Sequence, residues 1–283
     1  MKDKTHILID CHTHAFDDKI ADKARAHLID YYGVSTNYGA RFCDLIDSAY
    51  EASLSALVLL AAATKPEQVH SINEWILKTL PSLENKLKKT IHPFPLIIPF
   101  GVYHPNDSNW QSEISKLRNA KIKGLKLHPE FQGIDLADPK LNDFFAEVEN
   151  DFVVMMHVGD KTVSDQNFST PKKVAAIHAS FPKLKIIAAH MGGFRFWEEV
   201  YEVLAGKDLY IDTSSAISYM DKSMIRKIIS RHGTDKVLFG SDYPLRSPKE
   251  EYEILDRLHW LSTFEKEKIA GINCAALLGI DFQ

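Results

Sequence analysis

The sequence predicts an α/β protein built as a single (β/α)8 TIM barrel. Three observations carry that prediction: eight short apolar runs, amphipathic helix patterns between them, and a length of 283 residues, about 35 per unit where one strand–helix repeat needs roughly 30 or more. A chain this long lies where one ordinary core stops growing, so the choice is between two domains and one large barrel. No linker rich in Gly, Pro or Ser separates two halves. No GxGxxG or GxxxxGK[ST] turn follows a strand, as an open doubly wound sheet would suggest. The whole chain, residues 1–283, is therefore expected to be one domain.

The strands read, in order, as ILIDCH (7–12), ALVLLA (56–61), LIIPFGV (96–102), IKGLKLH (122–128), FVVMMHV (152–158), LKIIAAH (184–190), LYIDTS (209–214) and KVLFGSD (236–242). Most are near-continuous in Val, Ile and Leu without alternation, the mark of parallel strands covered by helices on the outer side. Helix patterns such as SEISKLRNA, DPKLNDFFAEVEN, TPKKVAAIHASFP, DKSMIRKIISRHG and SPKEEYEILDRLHW fall between them. Several open on Asp or Ser with Pro close by, and one is closed by Gly. Two stretches break the rhythm: 15–40, polar and aromatic, after the first strand, and 62–94, two short helical patterns split by Pro81, after the second. Insertions after barrel strands usually cover the mouth.

Composition excludes several classes. Hydrophobic residues at 45% and charged residues at 25% suit a packed globular chain. Thirty-four Lys and Arg against 38 Asp and Glu give a net charge of −4, with no basic block to attract nucleic acid or an anionic membrane. The longest apolar run, 54–63, is strand-sized, so no membrane span is expected. The opening MKDKTHILIDCHTH lacks the pattern of a secretory leader, and a cytoplasmic location is expected. Cys11, Cys43 and Cys274 are too widely spaced for a metal pair or a disulfide framework. They are read as reduced and mostly buried, with strand alternation turning Cys11 away from His12.

The 13 His stand out. In a barrel the chemistry sits at the C-terminal strand ends. There His12 and His14 close the first strand, His128 the fourth, His157 the fifth and His190 the sixth, while Asp242 closes the eighth. Two residues apart on an extended segment, His12 and His14 point the same way and can grip one ion. Imidazoles plus the Asp242 carboxylate suit a divalent metal such as zinc in an open, catalytic type of site. His104, just beyond the third strand, lies at the mouth and is a candidate for touching substrate, as is His128. His6, His27, His70, His92, His178, His232 and His259 are expected to be solvated or satisfied locally.

DCHTH (10–14), GLKLHPEFQ (124–132), VVMMHVG (153–159), AAHMGG (188–193), LYIDTSS (209–215), LFGSDYP (238–244) and IAGINCAALLGI (269–280) together resemble the amidohydrolase superfamily, in its amidohydrolase-related branch that includes aminocarboxymuconate-semialdehyde decarboxylase. The resemblance implies His12, His14 and His157 as metal ligands. It implies Asp242 as a ligand that also takes a proton from water, and His190 as catalytic acid/base or, in binuclear members, a ligand to a second ion. GLKLHP resembles the segment that carries a carboxylated Lys bridging two metals, so Lys126 is either such a ligand or a plain buried ammonium. The decarboxylase members usually lack this Lys.

The expected function is metal-dependent hydrolysis of a C–N or C–O bond in a small molecule, such as an amide, cyclic amide or lactone, with zinc as the ion and one ion favoured over two. Non-oxidative decarboxylation of a small aromatic or unsaturated acid is the alternative, and a non-catalytic metal-binding barrel the remote one. Arg195 and Arg246, in predicted mouth loops, are candidates for holding an acidic substrate. A homodimer is the assembly that barrels of this kind often form.

Overall fold

The computed structural model describes residues 7–282. The readings made on the first six residues, His6 included, lie outside them. The strands are β1 (Ile9–His14), β2 (Ala56–Leu60), β3 (Leu96–Pro99), β4 (Gly101–Val102), β5 (Gly124–Leu127), β6 (Val153–Met156), β7 (Lys185–Ala188), β8 (Tyr210–Asp212) and β9 (Val237–Leu238). All pairings are parallel, β1 to β3 in one ladder and β4 to β9 in another.

β3 and β4 are the expected third strand, interrupted at Phe100, whose N–H still bonds the Leu59 carbonyl at 3.0 Å. The phenyl ring is fully buried and takes the space beside Gly124, where a Cβ would stand 2.3 Å from it. From the other edge, Cys11 N donates to Phe239 O at 2.9 Å, Asp242 N to His12 O at 2.8 Å and His14 N to Tyr243 O at 2.8 Å. These bonds carry the ladder from the last strand back to the first, giving the TIM barrel.

Strand alternation divides the core in two. Leu57, Leu59, Val154 and Met156 pack with helix residues such as Ile46, Leu117, Phe144 and Ile177. Ala56, Val58, Leu60, Val153, Met155 and Ile187 form a second cluster with Cys274, Leu277 and Leu278 of the C-terminal helix Asn273–Leu278. Lys126 pairs in register with Met155 and Met155 with Ile187, so this second face also carries Lys126 and is the barrel interior. Cys11 joins the interior cluster instead of turning outward. It follows Ile9 by alternation, and a register shift between Asp10 and Thr13 brings His12 to the same side, breaking the alternation that would have separated the two.

The first insertion forms the helix Ala21–Tyr32, ended by Gly33 in the left-handed conformation. The second forms one helical run in three segments, Gln68–Glu74, Trp75–Thr79 and Leu80–Leu87. Pro81 does not split it as expected. The turn before Pro81 widens to π spacing, with Leu80 N bonded to Trp75 O, which accommodates a residue lacking an N–H. Among the described residues no helix is long and apolar enough to cross a membrane.

Candidate active site

The C-terminal strand ends place His12, His14, Lys126, His128, His157, His190 and Asp242 around the barrel mouth. Four of the imidazoles are pinned from behind. His14 Nδ1–H donates to Leu60 O at 3.2 Å, His157 Nε2–H to Gly159 O at 3.0 Å and His190 Nδ1–H to Ser214 O at 2.9 Å. His12 Nδ1–H points to Asp212 Oδ2 at 2.9 Å. A carbonyl or carboxylate oxygen can only accept, so each neutral ring keeps its proton on the outer nitrogen and turns a bare lone pair inward.

Those lone pairs meet other bases. His190 Nε2 is 2.9 Å from His157 Nδ1. His14 Nε2 is 3.4 Å and His12 Nε2 3.6 Å from Asp242 Oδ1. The candidate donor atoms of His12, His14 and Asp242 lie within 4.8 Å of one another. Nitrogen lone pairs facing each other and a carboxylate need a cation between them, so the donor set fits a divalent metal with N and O preference.

A further layer holds these groups. Asp212 Oδ1 accepts from His190 N at 3.0 Å, Ser214 N at 3.1 Å and Ser214 Oγ at 2.5 Å. Ser215 Oγ donates to Asp242 Oδ2 at 2.6 Å, leaving Oδ1 for the histidines. Asp10 Oδ1 accepts from His12 N and Ser241 N, both at 3.0 Å, tying the first and last strand ends together. His190, Met191, Ser215 and Asp242 all adopt positive φ, 61°, 57°, 46° and 71°. Such backbone is costly for non-Gly residues and clusters at functional sites.

Burial governs the electrostatics. It pushes His12, His128 and His157 well below the usual imidazole range, with the nearby Lys126 charge adding to the effect. Lys126, whose Nζ lies 3.2 Å from His12 Nε2, is itself lowered by burial to about 8, against the pull of Asp212 and Asp242. Burial raises Asp10 to about 7. On Asp242 burial pushes upward too, but interaction with His14 and the other surrounding imidazoles outweighs it and holds the carboxyl below its ordinary value.

The cavity in front of these groups has a volume of about 120 Å³. His12, His14, His128, His157, His190 and Asp242 line it, with Phe16, Leu28, Tyr32, Phe131 and Leu245 as apolar walls. His128 is stacked between Phe131 and His157, both ring centroids 4.0 Å away. Its Nδ1 accepts from Phe131 N, so Nε2–H donates to the Tyr32 phenol oxygen at 3.3 Å. Arg195 lines a smaller side lobe of about 60 Å³ that shares Tyr32, His157, His190 and Asp242 with the main cavity.

Two expected substrate contacts are not brought to either lobe. Beyond β4, Tyr103 stacks on Phe144 at 3.8 Å and its carbonyl accepts from Gln132 Nε2 at 2.7 Å, so the chain bends outward and His104 Nδ1 instead caps Asn106 N at 3.2 Å. Arg246 turns to the buried Glu251, Nε to Oε1 at 2.7 Å. Conversely, His27, expected to be ordinary, lines the cavity beside Tyr32, and Asp212, which the motifs do not single out, holds His12 from behind. The quoted LYIDTSS places Asp212 and Ser214 at a strand end, a signal that could have marked them.

The fold is a TIM barrel, and its strand ends bring together candidate metal ligands in His12, His14 and Asp242. The sequence matches the amidohydrolase family over residues 9–280, and the chain belongs to that family. Solved structures share the fold at low identity. A TIM-barrel protein of uncharacterised function from Bordetella bronchiseptica is 16% identical with a TM-score of 0.73, covering 96% of this chain and 98% of its own. The 5-carboxyvanillate decarboxylase of Sphingomonas paucimobilis is 16% identical at 0.65, with 98% and 100% covered. A probable 2-pyrone-4,6-dicarboxylic acid hydrolase from Acinetobacter baumannii is 17% identical at 0.64, with 96% and 99% covered. No curated protein matches the sequence.

Proposed function

We propose that the protein is a metal-dependent hydrolase that opens a C–N or C–O bond in a small molecule such as an amide, cyclic amide or lactone. The observation that carries this reading is that His12 Nε2 and His14 Nε2 face Asp242 Oδ1 at 3.6 and 3.4 Å while His157 Nδ1 faces His190 Nε2 at 2.9 Å, nitrogen and oxygen acceptors turned toward one another. His12, His14, His157 and Asp242 would hold the ion, zinc being the best match to this N and O donor set. One ion is favoured over two, because the Lys126 ammonium already stands beside His12. Bound there, the ion would acidify a water and polarise the substrate carbonyl.

The chain's own groups do the rest. Asp242 Oδ1 receives the proton of the attacking water and passes it to the leaving nitrogen or oxygen, while Ser215 keeps Oδ2 engaged. His190, its Nδ1–H kept on Ser214 O, turns Nε2 toward the reacting centre, where it takes up a proton as general acid/base and in that form donates to the developing oxyanion. His128 and the side-lobe Arg195 face the remainder of the substrate.

Elemental analysis of the purified protein, paired with a hydrolysis screen of amides, cyclic amides and lactones before and after chelation, tests the reading. A divalent ion near one per chain and activity lost on chelation are expected. Full activity without any divalent metal would overturn it.

A second reading, decarboxylation of a small unsaturated acid, is favoured by the aromatic walls Phe16, Tyr32 and Phe131, which suit a flat ring. Measuring CO₂ release alongside bond opening separates the two reactions.

A further inference from the structure

The histidine cavity adjoins a much larger groove of about 590 Å³, and the two share Phe16, Ala24, His27, Ala62 and Thr64 as lining. Beyond that wall the groove is apolar along Ile20, Ala61, Ile72 and Trp75, with Lys19, Lys23 and Asp17 among its polar residues. It runs between the two insertions, the helix Ala21–Tyr32 on one side and the helical run starting at Gln68 on the other. Ile20 is 51% exposed beside it, an apolar side chain left facing water. The small cavity has room for little more than the reacting group, whereas the groove offers several times that space. We propose that the substrate is elongated, with its scissile group at the histidine cluster and a straight apolar chain lying in this groove against Ile20, Ile72 and Trp75.

The occupant is part of the substrate rather than a separate ligand because the groove adjoins the cavity through five shared lining residues, which makes the proposal rest on the histidine cluster being the catalytic centre. Neither Lys19 nor Lys23 has an ion-pair partner among the described residues, so each can hold an anionic or strongly polar chain end, while Asp17 Oδ1 is already engaged by the Lys19 backbone N–H. Burying a chain against such walls strengthens binding by roughly three- to fourfold per methylene until the groove is full.

Isothermal titration calorimetry with straight-chain carboxylates from acetate to dodecanoate, on zinc-loaded and metal-free protein, tests this. A Kd that falls threefold or more per methylene and then levels off is expected, in both metal states, because tail burial does not need the ion. Ile72→Asp should flatten the dependence on chain length while leaving acetate binding unchanged. Ile20→Glu, a substitution at an exposed position that does not threaten folding, should do the same to a smaller degree. A Kd independent of chain length, or an equal slope in the wild type and both variants, would overturn the proposal. Failure of the catalytic reading would look different: no metal and no hydrolysis, with the chain-length slope intact.

Discussion

Asp212 lines neither lobe, yet four donors converge on its carboxylate, from His12, from the His190 N–H and from the Ser214 N–H and hydroxyl. Removing one acceptor oxygen by Asp212→Asn should loosen His12 and lower zinc affinity about 10- to 100-fold, as outer partners of metal ligands do, read by competition against a chelator. Asp242→Asn should leave part of the zinc bound but cut kcat by at least about 100-fold, because the amide cannot take up a proton. Turnover within tenfold of the wild type would remove Asp242 from that role. Glu130 supplies a stability prediction. Burial raises its carboxyl from 4.5 to about 7 despite bonds from Ser169. The folded state thus prefers the protonated acid, so the stability it contributes is complete below pH 4.5 and is lost as pH rises through 7. Glu130→Gln should remove that slope, gaining on the wild type by on the order of 3 kcal/mol between pH 5 and 8 in urea unfolding. The strand-end histidines and Asp242 were legible in the sequence because a run of apolar residues marks where each strand stops. Asp212 ends β8 in the same way, but a carboxylate that acts through other side chains is told from an ordinary strand-end Asp only by the distant partners the fold brings to it.

At the scale of elements, the helix Ala21–Tyr32 is fastened over the mouth. Tyr31 OH donates to Asp160 Oδ2 at 3.0 Å, Lys161 Nζ donates to Tyr31 O at 3.1 Å and sits 4.2 Å over the Tyr31 ring, and Tyr32 reaches His128. Tyr32→Phe should raise KM by about fivefold with little change in kcat, the worth of one hydrogen bond of roughly 1 kcal/mol in positioning. An equal fall in kcat alone would instead place the phenol in the chemistry. The loop after β6 is tighter still. Gly159 has φ +87°, and a Cβ there would stand 2.3 Å from the Phe194 carbonyl oxygen. Gly159→Ala should therefore cost at least about 2 kcal/mol and disturb the acceptor of His157, seen as a lowered Tm together with weaker zinc binding. Here the sequence was read less well. The apolar runs located the strands to within a few residues, but the break at Phe100 depends on a ring filling the space left by Gly124, a contact between distant positions. The outward bend that removes His104 from the mouth follows from Tyr103 packing on Phe144, which no local pattern announces.

For the molecule as a whole, the barrel was legible because its repeat of strand and helix is a property of the entire chain, and the register shift in β1 that puts His12 on the same side as Cys11 is too small to blur it. The proposed ion couples to this global stability. Zinc at about a thousandfold above its Kd should stabilise the fold by roughly 4 kcal/mol, and chelation should lower Tm accordingly. An unchanged Tm would argue against a site built on these residues. The C-terminal helix Asn273–Leu278 has its own bearing on turnover. It packs Cys274, Leu277 and Leu278 into the interior cluster with Ile9, five residues along β1 from His14, and so stoppers the barrel at the end away from the chemistry. Among the described residues that end offers no passage, so under the proposed function the product leaves by the mouth side, where its precursor came in. Departure and arrival then compete for the same passage, product should inhibit competitively with substrate, and a thicker solvent should slow the cycle wherever leaving is the slow step.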